Sequence, residues 1–395
     1  MSILGSQKLL LIVPHFKVFI RDQATLIRPY FSSMTVLMPI PFFSTLALKL
    51  PFVNRNFDFL KSAVESRNEL TQGCRMVSPS FFTLPLTAVR KRNCYLAAKS
   101  CTKALSKNAT TFNLIHAHFL ENGFIGASLK SSYDKPLVVT AHGGDVYDLP
   151  FRDSWYNNLA RYVLSESDKV ITVSHFLAEK LSELGVSSKK LHVVPNGYDE
   201  NLFKPLPSNA MRKKLGLPLN KRILLSVGDL VDVKGHTYLI DAMNIVLKKK
   251  NDVILVIIGS GPLKERLQKK VNKLGLNGKI LLVGRKTHDE IPMWMNASDI
   301  FVLPSLGEGF PTVVPEAMAC GKPVIATCVG GVPEAIVSSE LGTLVAPKGP
   351  KVLSQAILEG LSRDWLQEKI LDEAKRYSWN IIVKQIIAVY ERVAE

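Results

Sequence analysis

The sequence predicts an α/β protein built from two doubly wound parallel-sheet domains in tandem. Three observations predict this fold class: apolar, strand-length runs alternate with helix-length segments over residues 88–194, the alternation returns from residue 222, and glycines follow many of the runs. Such alternation favours a parallel sheet with helices on both faces. Ligands are then expected beyond the carboxyl ends of the strands, in a cleft between the two domains.

The first half of the chain supplies six predicted strands and five predicted helices. The strands are residues 8–13, 34–40, 114–118, 137–142, 169–174 and 191–194, and the helices are residues 21–30, 88–107, 121–132, 155–165 and 176–184. Residues 41–82 are rich in Phe and Pro, which interrupt any regular period, so irregular loops are expected. These loops would form an acceptor-facing or membrane-facing surface or, equally, ordinary core.

The second half repeats the pattern after a proline-rich break. Residues 203–220 hold three prolines with little apolar period, so we place the domain boundary there. Predicted strands follow at residues 222–227, 253–258, 279–283 and 342–346, and predicted helices at residues 237–249, 263–274 and 291–296. Residues 300–327 have the pattern of a strand, a loop, a helix and a second strand, with Pro311 near the helix start and Gly321 past its end.

The end of the chain is predicted to be a helix. Apolar residues recur at helical spacing between Trp379 and Val393, which indicates a face that packs back across the protein. The predicted organisation is an N-terminal domain (1–205), a C-terminal domain (206–375) and a C-terminal helix (376–395) that packs on the N-terminal domain.

Composition limits the class of protein. The chain is 47% hydrophobic and 21% charged, which is typical of packed globular domains and excludes general disorder. The apolar run at residues 9–13 is too short to span a membrane, and neither a membrane span nor a signal peptide is expected. Five scattered cysteines form no C-x-x-C pair and no zinc spacing, so we expect a reducing, cytoplasmic location and no metal site.

The net charge of +16 is spread over both halves of the chain. Small basic clusters are expected to be solvated faces, with contact to an anionic membrane surface as an alternative. No helix-turn-helix, zinc-finger or aromatic RNA-binding pattern accompanies the charge, so nucleic acid is not expected as a partner. His116 and His118 share one side of a predicted strand, but no third ligand is near them in sequence.

The strongest candidate site lies in the strand-loop-helix-strand segment. Glu308 occupies a glycine-flanked loop, and Glu316 follows eight residues later inside the predicted helix. Gly309 allows close backbone approach to a ligand, and the open N–H groups near Pro311 and Thr312 suit a phosphate. Carboxylates accept hydrogen bonds from sugar hydroxyls, so a sugar nucleotide fits, although two glutamates at this spacing also occur by chance on surface loops.

Two further residues follow predicted strands. His142, in T-A-H-G-G-D, ends an apolar strand before two glycines, and Lys234, in V-D-V-K-G, lies in the loop after the strand at residues 222–227. A lysine there would stabilise negative charge on a departing diphosphate. A lone histidine is equally a structural residue, and an isolated K-G dipeptide is most often a surface lysine. The G-S-G at residues 259–261 is a weak close-approach turn.

The order of these motifs carries a resemblance. The series H-G-G-D, V-P-N-G, V-G-x-L-x-x-x-K-G, G-x-G-P and E-G-F-P-x-x-x-x-E-A-M-A-x-G-x-P-V-I-A-T closely resembles that of the retaining glycosyltransferases of the glycogen-synthase-like, mannosyltransferase-type family (glycosyltransferase family 4, group 1), which have the GT-B fold. The resemblance covers about residues 110–390. It implies two Rossmann-like domains facing a cleft and a C-terminal helix that crosses back. Residues 1–205 would be the acceptor-side domain, and residues 206–375 the nucleotide-sugar-binding domain.

The resemblance also implies roles at matching positions. Glu308 would lie beside the donor sugar, Glu316 would bind ribose hydroxyls, and Lys234 would bind the pyrophosphate. His142 would contact the donor sugar near the reacting carbon. The other donor-binding positions that it implies are Gly143, Asn196, Gly228, Gly284, Arg285, Gly309, Phe310, Pro311 and Thr312.

The sequence departs from the family pattern at two places. Asp229 stands where many relatives have an arginine that joins the lysine on the phosphates, so we expect Asp229 to point away from the diphosphate. Pro14, His15 and Phe16 replace the glycine pair that many relatives carry after the first strand, so the acceptor cannot be assigned by analogy.

The expected activity is transfer of a hexosyl unit, with retention and without metal or cofactor. The donor would be a UDP- or GDP-sugar, and the acceptor a carbohydrate, lipid-linked glycan or small hydroxyl compound. Front-face departure and attack is favoured over a covalent glycosyl-enzyme. Two alternatives are a sugar-nucleotide epimerase on the same fold, and a catalytically inactive basic scaffold that binds membrane or nucleic acid.

Overall fold

The chain forms two compact units. A computed structural model describes residues 3–14, 18–41, 73–82 and 90–394. Unit 1 comprises Met1–Pro195 with Asn380–Glu395, and unit 2 comprises Asn196–Trp379. Most of the Phe- and Pro-rich stretch at residues 41–82, whose role was predicted above, lies outside the described residues. In the part that is described, no helix combines the length and the apolar character needed to span a membrane.

Unit 1 contains a seven-stranded parallel sheet. Its strand order is β4-β2-β1-β6-β7-β8-β9, and a separate parallel pair joins β3 to β5. The strands are β1 Lys8–Ile12, β2 Ser33–Leu37, β3 Ile40–Pro41, β4 Arg75–Val77, β5 Ser80–Phe81, β6 Leu114–His118, β7 Leu137–Ala141, β8 Lys169–Thr172 and β9 Leu191–Val193. The central strands β6 and β7 are buried at every position, as expected for a sheet covered on both faces.

Seven α-helices connect the strands of unit 1. They are α1 Val18–Ile27, α2 Arg90–Lys107, α3 Leu120–Tyr133, α4 Gly144–Tyr147, α5 Leu149–Arg152, α6 Ser154–Glu166 and α7 His175–Glu183 among the described residues. Short side chains fix two of the helix starts: Asp153 accepts hydrogen bonds from the N–H groups of Trp155 and Tyr156, and Ser174 accepts one from Leu177.

Unit 2 contains a six-stranded parallel sheet. The strands are β10 Arg222–Val227, β11 Val253–Ile258, β12 Ile280–Gly284, β13 Ile300–Leu303, β14 Val324–Thr327 and β15 Gly342–Val345, in the order β12-β11-β10-β13-β14-β15. This order reverses between β10 and β13. In an open parallel sheet the crevice beyond the carboxyl ends of those two strands is the place where ligands bind.

The helices of unit 2 alternate with its strands. They are α8 Ser208–Leu215, α9 His236–Lys249, α10 Lys264–Lys273, α11 Ile291–Ala297, α12 Val313–Ala319, α13 Val332–Ala335, α14 Pro350–Ser362 and α15 Gln367–Lys375. Side chains of α9, α10 and α14 bury an aliphatic core against β10, β11 and β13. The two parallel-sheet units confirm the predicted fold class.

Residues 203–220, where the sequence analysis places the domain boundary, contain helix α8, which was not predicted. The helix begins after Pro207 and ends at Gly216, which adopts the left-handed conformation with φ of 66°. The apolar period of this helix is weak, and polar contacts of the buried Arg212 anchor it instead. The Arg212 guanidinium donates to the carbonyl oxygens of Ala297 and Lys221 and to the carboxylate of Asp299.

The terminal helix, α16 (Trp379–Ala394), packs its apolar face within unit 1. Ile382, Ile386 and Val389 are buried. The Tyr390 ring lies 5.7 Å from the ring of Phe31, and its hydroxyl is 2.6 Å from His116 Nδ1. The helix therefore completes the hydrophobic core of unit 1 and also contacts a polar residue of β6.

Candidate functional site

Lys234 and Glu308 meet at the switch point of the unit 2 sheet. Lys234 ends a short 3-10 helix (Asp232–Lys234) that follows β10, and Glu308 lies in the loop that follows β13. The Lys234 Nζ donates to Glu308 Oε1 at 2.6 Å. Two residues that the sequence singled out separately, 74 positions apart, thus form one ion pair at the carboxyl ends of adjacent strands.

The Glu308 carboxylate is held in a fixed position. Glu308 is only 8% exposed, and Ser305 Oγ donates to the same Oε1 at 2.6 Å. A buried carboxylate is costly without a counter-charge and hydrogen bonds, and the ion pair with Lys234 supplies the first of these. Lys234 keeps 27% of its side chain exposed, so its charge is accessible to a ligand.

Two glycines allow the loops of this site to pack closely. A Cβ at Gly235, whose φ is 66°, would stand 1.9 Å from the carbonyl oxygen of Pro304, and a Cβ at Gly330 would stand 1.8 Å from that of Glu308. The Leu306 N–H also donates to the carbonyl oxygen of Val233 at 2.7 Å. Backbone contacts therefore join the loop of Lys234 to the loop of Glu308.

Glu316 lies on α12 and has a partner that sequence reasoning missed. It is buried, and its Oε1 is 3.1 Å from Nε2 of His288. His288 comes from the short 3-10 helix His288–Glu290 after β12, and its ring lies 5.0 Å from that of Phe203. A carboxylate in this position can accept a hydrogen bond from a ligand hydroxyl, and His288 helps to orient it.

The segment between the two glutamates is packed into unit 2. Gly309, Phe310 and Pro311 are buried, and the Phe310 ring lies 5.4 Å from that of Tyr377. The Val314 N–H donates to the carbonyl oxygen of Pro311 at 2.9 Å, so one N–H at the helix start is already used within the chain. Thr312, partly exposed, is the N-cap of α12.

Glycines gather at the ends of β10, β11 and β12. The Gly228 N–H donates to the carbonyl oxygen of Ile258, and the Gly259 N–H donates to that of Gly284. A Cβ at Gly259 would stand 1.9 Å from the carbonyl oxygen of Gly228, so the backbones touch. Arg285, next to Gly284, is exposed and stands at the same strand ends.

The burial of three further residues of unit 2 differs: these are Asp229, Asn196 and His236. Asp229 is exposed, and Asn196, the first residue of the unit, is buried. His236 follows the K-G pair and is 2% exposed. Burial lowers its pKa to about 4, against the opposing effect of the Gly228 carbonyl, so its imidazole is neutral beside the candidate phosphate site. Sequence reasoning passed over His236, although it is adjacent to the K-G motif.

His142 of unit 1 stands beyond the end of β7. Its Nε2 is 2.9 Å from Nδ1 of His118, the last residue of β6, and the two rings stack with centroids 5.2 Å apart. The rings of Phe19 and Phe119 lie 5.0 and 4.5 Å from the His142 ring. The hydrogen bond couples the tautomers of the two rings, because one nitrogen must donate and the other accept, and the aromatic rings restrict the orientation of His142.

A third histidine, His116, lies on β6 with His118. His116 Nε2 is 2.7 Å from Thr140 Oγ1, and Tyr390 engages Nδ1 as described above. Burial lowers the pKa of His118 to about 3, and burial, with the neighbouring His118, lowers the pKa of His116 well below its usual value, so both rings are neutral. With both ring nitrogens of His116 engaged, it is not available as a metal ligand. Among the described residues, no three His, Cys, Asp or Glu side chains are placed to hold a metal ion.

Asp145, the last residue of H-G-G-D, organises the loop that carries His142. Its Oδ1 accepts hydrogen bonds from the N–H groups of Gly143 at 2.8 Å and His142 at 3.3 Å, and its Oδ2 accepts one from Leu120 at 3.3 Å. Burial, with the charge of Glu121, raises the pKa of Asp145 to about 6 despite these bonds. An aspartate that follows two glycines is a common signal for such a turn, and it was available in the sequence.

Comparisons with known proteins show the family of the chain. The model of the family described as Glycosyl transferases group 1 matches residues 207–377, and that of Glycosyltransferase Family 4 matches residues 64–202. An uncharacterized glycosyltransferase of Methanocaldococcus jannaschii is 33% identical over 72% of this chain and 76% of its own length. TuaC of Bacillus subtilis, provisionally named a teichuronic acid biosynthesis glycosyltransferase, is 30% identical over 82% and 79%.

The fold has close counterparts among solved structures. Anabaena HepE, solved in complex with UDP-glucose, matches with a TM-score of 0.74 at 21% identity, over 98% of this chain and 100% of that one. The architecture is that of the GT-B glycosyltransferases. The chain belongs to the group 1 glycosyltransferases of family 4, which confirms the resemblance drawn from the motifs.

Proposed function

We propose that this glycosyltransferase is a hexosyltransferase that takes its sugar from a nucleoside diphosphate, with retention of configuration. The observation that carries the proposal is the Lys234–Glu308 ion pair at the switch point of unit 2, with Glu316 on the adjoining helix. The cation of Lys234 suits a diphosphate. The buried carboxylate of Glu308 suits the hydroxyls of a sugar, and the carboxylate of Glu316 suits those of a ribose. HepE is held with UDP-glucose in its own structure, and for this chain UDP- and GDP-sugars are the proposed donors.

The proposed chemistry begins with departure of the diphosphate. Negative charge grows on the diphosphate as the anomeric bond breaks, and Lys234 stabilises it from a preorganised position. In the protein without donor, Glu308 is the counter-charge of Lys234. We propose that the diphosphate takes over part of that role, which leaves Glu308 to accept a hydrogen bond from a sugar hydroxyl.

The remaining donor-binding roles are assigned by motif position and supported by local geometry. Glu316 would accept from the ribose hydroxyls, oriented by His288. Gly309, Phe310, Pro311 and Thr312 would border the sugar and the phosphates, and Gly228, Gly284, Arg285 and Asn196 would border the phosphates and the base. Asp229 is exposed and would point away from the diphosphate.

His142, next to Gly143, is the residue of unit 1 proposed to contact the donor sugar. Asp145 is the carboxylate nearest to it in sequence, but Asp145 is buried and its two oxygens accept three backbone N–H bonds. It is therefore a poor nucleophile. This supports attack by the acceptor on the face that the diphosphate leaves, without a covalent glycosyl-enzyme. No step of the proposal requires a metal or a cofactor.

The acceptor is proposed to be a carbohydrate, a lipid-linked glycan or a small hydroxyl compound. The basic charge of +16 favours an acceptor with anionic groups elsewhere in the molecule or one at an anionic membrane surface. Among the described residues no disulfide joins any of the five cysteines, which supports a reducing cytoplasmic location, with peripheral contact to the membrane as part of the proposal.

The test is transfer by the purified protein from UDP- and GDP-sugars to a panel of glycoside and polyprenyl-phosphate-linked acceptors. Release of nucleoside diphosphate should depend on acceptor, and NMR of the product should show the anomeric configuration of the donor. Conversion of the donor sugar without acceptor would instead indicate an epimerase. Donor-independent binding to membranes, with no turnover of any donor in the panel, would indicate an inactive scaffold.

A further inference from the structure

The charge of unit 2 is distributed unevenly along the chain. Residues 212–279, from within α8 to the residue before β12, contain 15 Lys and Arg against five Asp and Glu. Residues 280–379 contain nine against 12. The basic excess of unit 2 therefore belongs to its first three strands and to the helices beside them.

These basic residues meet at one edge of the sheet. Strands β12, β11 and β10 are neighbours and run parallel, so their amino ends lie side by side. Lys221 directly precedes β10, Lys250 precedes β11 by three residues, and Lys279 directly precedes β12. The last turns of α8, α9 and α10, each followed by one of these strands, are also basic. The surface defined here as the basic edge comprises Lys213, Lys214, Lys221, Lys250, Lys273 and Lys279.

Acidic residues leave the charge of the basic edge largely uncompensated. Asp299 lies near the start of β10, but it pairs with Arg212 at 2.8 Å and with Arg222 at 3.6 Å. Asp252, directly before β11, is partly buried. Within the described part of the chain, none of the six lysines of the basic edge forms an ion pair with an Asp or Glu. Their positive charges therefore act together on the solvent side of this edge.

An exposed leucine accompanies these lysines. Leu219 lies in the loop between α8 and β10, two residues before Lys221, and is 46% exposed. Its carbonyl oxygen accepts a hydrogen bond from the Arg212 guanidinium at 3.3 Å, which anchors the loop. Lysines around an exposed apolar side chain suit an anionic lipid surface, since the charges attract headgroups and the apolar group enters the interface. A soluble polyanion would use the lysines but not the leucine.

We propose that the basic edge docks unit 2 on an anionic membrane surface, with Leu219 entering the headgroup region. Lysines at helix ends also interact favourably with helix dipoles, but Lys221 and Lys279 lie outside the helices, so that role does not account for them. Lys234 and Glu308 lie at the opposite, carboxyl edge of the sheet. The six residues of β10 separate the two edges by about 20 Å, so docking leaves the donor site open to solution. The inference deepens the membrane contact of the proposed function and rests on it in that respect.

The test is binding of the full chain to vesicles of phosphatidylcholine with or without phosphatidylglycerol, measured by co-sedimentation over a range of lipid concentrations. Binding should require the anionic lipid and weaken as salt is added. The triple variant Lys213→Gln, Lys214→Gln, Lys273→Gln removes three exposed charges and should weaken binding at least about tenfold. Leu219→Ser should weaken it about threefold through loss of apolar contact.

Two matched controls separate the basic edge from the total charge and from surface apolarity in general. The triple variant Lys99→Gln, Lys103→Gln, Lys107→Gln removes three exposed lysines from α2 of unit 1 and has the same net charge as the basic-edge variant. Leu366→Ser replaces another exposed leucine of unit 2, outside the basic edge, and is the control for Leu219→Ser. Both controls should bind anionic vesicles within about twofold of the wild type. Thermal unfolding of each variant checks that it is folded.

Three results would overturn the inference. The first is that anionic vesicles are not bound by the wild type. The second is that the α2 variant loses as much binding as the basic-edge variant, which would assign the effect to net charge or to unit 1. The third is that soluble polyphosphate binds as tightly as the vesicles and Leu219→Ser changes neither affinity, which would make the edge a site for soluble polyanions.

Turnover distinguishes failure of this inference from failure of the proposed function. If sugar transfer to a soluble acceptor proceeds and vesicle binding depends on α2 instead, the inference is wrong although the proposed function stands. If vesicles bind through the basic edge but no nucleotide sugar is consumed with any acceptor, the docking surface stands and the proposed transfer activity is wrong.

Discussion

The two sheets present different polar groups at equivalent edges. In unit 2, Lys234 and Glu308 at the ends of β10 and β13 carry opposite charges in contact. In unit 1, His118 and His142 at the ends of β6 and β7 are linked ring to ring, and His118 is buried and neutral. One fold thus places an ion pair at one sheet and hydrogen-bonded imidazoles at the other.

The difference shows how each edge can be preorganised. A buried carboxylate needs a counter-charge, and a phosphate can replace part of that interaction, so the unit 2 edge can exchange partners. A neutral imidazole needs only hydrogen bonds, so His118 at the unit 1 edge needs no counter-charge. We therefore expect variants in unit 2 to act mainly on donor chemistry and variants in unit 1 to act on ring orientation and on the pH dependence of stability.

The largest effect is expected for Lys234→Ala. Loss of the cation leaves the departing diphosphate without its preorganised counter-charge, so kcat should fall about 10²- to 10³-fold. The measurement is nucleoside diphosphate release at saturating donor and acceptor. Lys249→Ala, at an exposed lysine at the end of α9, is the control and should keep kcat within twofold of the wild type. A rate for Lys234→Ala equal to that of the control would remove Lys234 from the reaction.

An effect of intermediate size is expected for His118→Phe, measured as the free energy of unfolding at several pH values. The pKa of His118 is about 3 in the folded protein and about 6.5 when unfolded, so the unfolded chain binds the extra proton between these values. Wild-type stability should fall there as pH decreases, by about 1.4 kcal/mol per pH unit from this group. The phenylalanine variant lacks that loss. The amount by which its free energy of unfolding lies below that of the wild type, its stability deficit, should therefore shrink below pH 6.5.

Urea unfolding of both proteins at pH 7, 6, 5 and 4.5 measures this difference. His116 and Asp145 also titrate in unit 1, but they are present in both proteins, so to first order their effects cancel in the comparison. A deficit that stays constant from pH 7 to pH 4.5 would mean that His118 is protonated in the folded protein.

The smallest effect is expected for His288→Ala. Glu316 would lose the partner that orients it, so the KM for donor should rise about fivefold, equivalent to one hydrogen bond of about 1 kcal/mol, with little change in kcat. Asp289→Ala, at the exposed neighbouring position, is the control for local disturbance of the 3-10 helix. An equal rise of KM in both variants would assign the effect to the helix and not to the His288–Glu316 contact.

Local sequence signals predicted much of the fold. The segment that carries Glu308 and Glu316 was predicted as strand, loop, helix and strand, because Pro311 and Gly321 mark the ends of a short helix between two apolar runs. The structure has that order at β13, α12 and β14. Helix α8 was missed because tertiary bonds of Arg212 stabilise it, and such bonds leave no period in the sequence.

The contacts within the site were harder to predict than its residues. The motifs pointed to Lys234, Glu308, Glu316 and His142, but the pairs depend on strand register and loop path. His118 meets His142 because β6 and β7 pair with His118 opposite Thr140, two residues before His142. His288 reaches Glu316 across 28 residues. A single sequence contains no direct signal of either contact.

The measurement that tests the central claim most directly is a crystal structure of the protein with UDP or GDP. We predict a diphosphate within hydrogen-bond distance of Lys234 Nζ, with the ribose hydroxyls at Glu316 and the switch point of β10 and β13 occupied. A nucleotide bound elsewhere, with the Lys234–Glu308 pair intact and Glu316 untouched, would contradict it.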